Sequence, residues 1–186
     1  MPEAPPGGWT TEAVIALPDD RRRYELVDGE LLVTAVVSFQ HQHVLTELML
    51  RLGAYTEDNI IGDTLPSPAD LVLDSRTLVK PDLFVLPRVN GQRILEWSDV
   101  EGRLLLAIEV MSPATARADR LIKRQRYQRA GIEYWVVDAD ARLVERWRPA
   151  DERPEIVAAS LLWQPDPAIA PLSIDLPELF RRALDR

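Results

Sequence analysis

Residues 104–111 constrain this chain more than any other stretch: seven of the eight are apolar, and the eighth, Glu109, is a carboxylate set among them. A run this apolar fits a β-strand covered on both faces, hence a central strand of a sheet with layers on either side. A carboxylate in such a strand is costly unless it is paired or binds a metal. Glu109 is therefore the first candidate functional residue.

The flanking segments support a layered fold. Residues 9–17 predict a short helix with a Thr cap, stopped by Pro18. Residues 24–33 predict a hairpin, because Asp28-Gly29 between two apolar runs suits a type I′ turn. Residues 40–56 predict a helix with Val44, Leu48, Leu52 and Tyr55 on one face. Short strands are expected near 60–65, 70–74 and 82–86, then a polar excursion over 87–102. After the buried strand, Ser112, Pro113 and Thr115 offer turn and cap chemistry for a helix to about 130, with Gly131 at its C′ position. Strands follow near 133–137, 143–147, 155–161 and 172–176, and a last helix starts at Pro177. Trp135 and Trp147 lie on consecutive strands and read as core. The order predicts an α/β (α+β) sandwich: a mixed sheet flanked by helices, with an N-terminal hairpin. With 186 residues, one domain over 10–186 is expected, preceded by a loose arm over 1–9.

Composition narrows the setting. No window can span a bilayer, and the first residues lack the pattern of a secretory signal. Cysteine is absent, which removes disulfides and thiolate metal sites and suits a cytoplasmic protein. A net charge of −8 argues against broad, non-specific nucleic-acid binding, but not against a nuclease whose cationic surface is confined to one groove.

Asp82 follows Pro81 at the start of an apolar strand. Asp82 and Glu109 on neighbouring strands can converge on one hard cation, with the Val110 carbonyl as a further oxygen. Mg²⁺, with Mn²⁺ as a substitute, would polarise a phosphodiester and acidify water. Lys123 would orient the attacking water and stabilise charge. It shares a helical face with Asp119 and Tyr127, each four residues away. The competing readings are a solvated edge residue or half of a structural ion pair for either strand-borne acid, and a mere i,i+4 ion pair for Asp119 and Lys123.

Pro81-Asp82 followed by Glu109-Val110-Met111 resembles the PD-(D/E)XK nuclease signature. The longer series of Tyr24 to Glu30, His41, Lys80 to Asp82, Glu109 to Pro113, Asp119-Arg120, Lys123 and Gly131 to Asp138 resembles the Uma-two family of restriction-endonuclease-like proteins, over about residues 10–180. The resemblance implies a restriction-endonuclease-like fold of about four core strands, with Mg²⁺ held by Asp82 and Glu109. It also implies an acid at Glu25 near the metal; the alternative is a solvent-facing strand residue. One departure matters. Met111 stands where the superfamily pattern has lysine, and the resembling family moves that charge to the following helix, matching Lys123. Lys80, the only other lysine, ranks second.

His41 opens a helix and matches the family's histidine, either to contact a phosphate or help proton transfer, or to cap or pack. His43 has only proximity. Arg117, Arg120, Lys123, Arg124, Arg126 and Arg129 form the most cationic stretch, either a track for a phosphate backbone or a charged outer face. Gln125 and Tyr127 line a groove or pack. The expectation is a Mg²⁺-dependent endonuclease on DNA, with a homodimer suggested by two-strand cutting. The alternative is a catalytically silent nucleic-acid-binding or assembly module of the same fold.

Overall fold

The fold was analysed in a computed structural model, which describes residues 2–18, 20, 22–34, 37–96, 100, 103–112 and 115–185. Parts of the expected excursion (97–99, 101 and 102), Met1 of the expected arm and Pro113 of the expected turn lie outside the described residues.

Helix α1 (Thr11–Ile15) is capped by the Thr10 hydroxyl, which accepts from Ala13 N. Strands β1 (Arg23–Val27) and β2 (Glu30–Thr34) form the hairpin. Asp28 and Gly29 both take positive φ, 49° and 84°, as a type I′ turn requires. The long helix α2 (Phe39–Asp58) starts at a Ser38 cap. Strands β3 (Gly62–Pro66), β4 (Leu71–Asp74), β5 (Thr77–Val79), β6 (Leu83–Pro87) and β7 (Leu106–Val110) follow. The chain then enters a helix wound as π over Ala118–Lys123, continuing into α3 (Arg124–Arg129). Strands β8 (Glu133–Asp138), β9 (Leu143–Trp147), β10 (Glu155–Val157), β11 (Ser160–Trp163) and β12 (Leu172–Asp175) lead into α4 (Leu176–Leu184).

A six-stranded mixed sheet forms the centre, in the order β10-β9-β8-β7-β6-β3. Only β7 and β8 run parallel in it, because the helix between them carries the chain back to the starting edge. A second sheet, β2-β1-β5-β4, is antiparallel. Strand β5 lies between the expected strands, and its three residues are too short an alternation to stand out in the sequence. The single strand expected over 155–161 divides into β10 and β11, which belong to different sheets.

Alternation assigns the faces of the central sheet. Leu83, Val85, Leu106, Ile108, Val110, Trp135 and Val137 pack with Val44, Leu48 and Leu52 of α2 and Leu179 and Phe180 of α4. Phe84, Leu86, Ala107, Tyr134 and Val136 pack on the opposite face with Val27, Leu71 and Val79 of the second sheet and Tyr127 of α3. The period of two therefore aims Glu109 at this second face, two residues from Ala107, and Asp82, two residues from Phe84. Outside the second sheet, Trp9 and Val14 cover Tyr24, Leu26, Leu31 and Leu78. Gly62 lets β3 lie close to β6: a Cβ there would stand 2.5 Å from the Leu86 carbonyl oxygen.

Candidate active site

Four buried carboxylates gather between the two sheets: Glu25 of β1, Asp82 before β6, Glu109 of β7 and Asp119 of the π-wound helix. Each is sent there by its local backbone. On β1, Arg23, Glu25 and Val27 alternate onto the face turned to the central sheet, while Tyr24 and Leu26 pack outward against α1. Asp82 is fixed by Ser67, whose N donates to the Asp82 carbonyl at 3.0 Å and whose hydroxyl donates to the Pro81 carbonyl at 2.6 Å. The residues buried along the helix after β7 are Asp119, Lys123 and Tyr127, one every four positions.

Lys123 is enclosed by three of these acids. Its Nζ donates to Glu109 Oε1 at 2.9 Å and lies 2.8 Å from Glu25 Oε2 and 3.2 Å from Asp119 Oδ1. Arg23 bridges Glu25, Asp82 and Glu109: Nη1 donates to Asp82 Oδ1 at 2.5 Å, while Nε and Nη2 stand 3.6 and 3.5 Å from Glu25 and Glu109. Asp82 Oδ2 accepts from Val110 N at 2.9 Å and has His41 Nε2 at 3.4 Å. Glu25 Oε1 accepts from Lys80 N at 2.7 Å.

The electrostatics follow from burial. Removal from water pushes the Glu109 carboxyl well above its ordinary range; Lys123 opposes the shift and Asp82 adds to it. Asp119 is pushed up by burial too, again opposed by Lys123. Burial works against the charge of Lys123, but Glu109, Glu25 and Asp119 more than restore it, so its ammonium is held charged. Tyr127 lies beside the cluster, stacked on Tyr134 with ring centres 4.7 Å apart, and its hydroxyl has no hydrogen-bond partner among the described residues. Burial raises its pKa, and the charges of Glu109 and Glu25 raise it further.

The donor set suits a hard divalent cation. Oxygens of Glu25 and Glu109, on two strands, and of Asp82, just before a third, converge where the Arg23 guanidinium lies, and they are hard donors of the kind Mg²⁺ takes. The point of convergence is held by the Arg23 guanidinium. Among the described residues no three His, Asp or Glu are grouped as ligands of one ion.

Of the residues singled out from sequence, Asp82, Glu109, Lys123, Glu25, His41, Asp119 and Tyr127 stand at this cluster, and Val110 joins it through its main chain. Arg120, Arg124 and Gln125 do not. Arg120 pairs with Glu145 and Asp138 at 2.6 and 3.3 Å. Arg124 lies 4.6 Å over the Trp147 ring and donates to Gln128. Gln125 is exposed and lines an open depression with Gln128 and Asp151. Arg126 and Arg129 pair with Asp74 and Asp28. The cationic stretch is thus largely neutralised by acids of the chain itself, which favours the outer-face reading over the phosphate track. Lys80 turns outward to Asp70 at 2.7 Å, and His43 is exposed. The residue that sequence reading missed is Arg23. Its signal was present: it sits two positions from Glu25, so any strand there puts both on one face.

The family model of Uma2, described as "Putative restriction endonuclease", matches residues 11–179. Among solved structures, one titled as a putative nuclease belonging to DUF820 from Anabaena variabilis ATCC 29413 is 17% identical. It covers 95% of this chain and 99% of its own at a TM-score of 0.72, and thus shares the fold. No curated protein matches the chain.

Proposed function

This chain belongs to the Uma2 family, and from that premise we propose that it is a divalent-metal-dependent nuclease that hydrolyses phosphodiester bonds in DNA. The observation that carries the reading is the meeting of Glu25 of β1, Asp82 just before β6 and Glu109 of β7 beside a buried, charged lysine. Glu25, Asp82 and Glu109 would hold Mg²⁺ or Mn²⁺, with the Val110 carbonyl as a further oxygen. Such an ion supplies Lewis-acid polarisation of the phosphodiester and makes water more acidic.

The chain's own residues do the rest. Lys123 keeps a fixed positive charge next to Glu109, where it orients water and stabilises the negative charge that develops on the phosphate oxygens. It takes the place of the lysine that Met111 cannot supply. Asp119 holds the ammonium from its own helix. Val110 N fixes one Asp82 oxygen, and His41 braces the same atom.

A second reading, a silent nucleic-acid-binding or assembly module, is favoured by one observation: Arg23 holds the point where a metal would sit. The two separate in a nicking assay on supercoiled plasmid and on single-stranded DNA, with Mg²⁺, Mn²⁺ or chelator. Cleavage that needs the divalent ion supports the nuclease. DNA left intact in every ion supports the silent module.

A further inference from the structure

The cluster contains two cations of different character. The Lys123 side chain is 2% exposed and has three carboxylates within 3.2 Å of its Nζ. The Arg23 side chain is 21% exposed, so it reaches the cluster from an opening. Among the described residues only its Nη1 makes a hydrogen bond, to Asp82; Nε and Nη2 are buried without one, because their carboxylates lie at 3.6 and 3.5 Å. A guanidinium has five donors in a planar fork, and this setting satisfies it poorly.

Arg23 also competes for space. It touches the Asp82 Oδ1 and Glu109 Oε2 oxygens that face the point of convergence. A Mg²⁺ ion needs bonds of about 2.0–2.1 Å to such oxygens, so ion and guanidinium exclude each other there. Repulsion between like charges adds to that exclusion.

We propose that Arg23 is an exchangeable counter-ion: its guanidinium neutralises Glu25, Asp82 and Glu109 in protein stripped of divalent ions, and it swings toward solvent when a divalent cation enters, while Lys123 stays. The proposal rests on reading the cluster as a metal centre. Arg23 acts here as a positioning residue that sets the affinity for the ion and holds the acids together without it.

Mn²⁺ is the probe, titrated calorimetrically into the full chain at fixed pH and ionic strength. Arg23→Gln is expected to bind Mn²⁺ roughly tenfold or more tightly than wild type, because a competing charge a few ångströms away is gone. Equal or weaker binding overturns the proposal. A second measurement needs no variant. Phenylglyoxal labelling of Arg23 in wild type, read by peptide mass spectrometry, is expected to rise when Mn²⁺ is added. Arg146, held by Glu133 at 2.7 Å, serves as the constant reference. Labelling of Arg23 that is unchanged or falls overturns the exchange. The nuclease reading is scored separately by plasmid nicking. Tighter Mn²⁺ binding in Arg23→Gln with no nicking by wild type leaves the exchange standing and removes the nuclease. Nicking by wild type with no gain in Arg23→Gln removes the exchange alone. No Mn²⁺ binding by either protein removes both.

Discussion

The Lys123 ammonium donates to Glu109 Oε1 at 2.9 Å, tying the helix after β7 back onto the strand it leaves. That contact brings a helix-borne positive charge to Glu109, two residues before the uncharged Met111. It also gives Lys123 a structural role that separates it from Lys80.

Lys123→Met is expected to lose about 3–5 kcal/mol of stability at neutral pH in chelator, since it leaves buried carboxylates uncompensated. Lys80→Met removes only a half-exposed pair with Asp70 and costs at most about 1 kcal/mol. Urea denaturation reads both. In the nicking assay Lys123→Met is inactive and Lys80→Met retains cleavage. Activity lost in Lys80→Met alone assigns the role to the other lysine.

Burial raises the Asp119 carboxyl above its ordinary value of 3.8, so the folded protein keeps a proton that the unfolded chain has released. Stability from this group is therefore greatest below the unfolded value and declines as pH rises toward the folded one. Asp119→Asn has no such group. In chelator its stability relative to wild type should increase with pH from about 4 upward. A constant difference across that range contradicts the burial argument.

Arg120→Ala and Arg124→Ala test the edge of the site. The first loses charged hydrogen bonds to the largely buried Glu145 and Asp138, about 1–3 kcal/mol, and the second a cation–π contact, about 1 kcal/mol or less. Both should keep the wild-type nicking rate and the same salt dependence of DNA binding. A shallower salt slope in either variant returns the cationic stretch to the binding surface.

Tyr127→Phe deletes a buried hydroxyl that has no partner among the described residues, and keeps the ring stacked on Tyr134. The variant is expected to unfold at the same temperature as wild type or higher, by up to about 1 kcal/mol in stability. A clear loss means that the hydroxyl is hydrogen-bonded in solution.

The features legible in the sequence were those that local physics dictates. The apolar run around Glu109, the Asp28-Gly29 turn and the four-residue spacing of Asp119, Lys123 and Tyr127 each reduce to periodicity or φ preference, and each reappears in the structure. Arg23 did not stand out, because its role arises only when β1 meets the central sheet, a long-range contact with Asp82 across 59 positions. The partners of the basic helix were illegible for the same reason: Asp74, Asp28 and Glu145 come from distant parts of the chain. A charge count along one segment says nothing about which acids fold against it.

The central claim is that Asp82 serves metal-dependent cleavage. The most direct measurement is the rate of supercoiled-plasmid nicking by wild type and Asp82→Ala at saturating Mg²⁺, with folding of the variant checked by circular dichroism. Wild type should nick and stop when the ion is chelated. Asp82→Ala should fall by roughly a hundredfold or more, beyond what loss of a ligand's supporting partner costs. An Asp82→Ala protein that nicks at the wild-type rate would contradict the account.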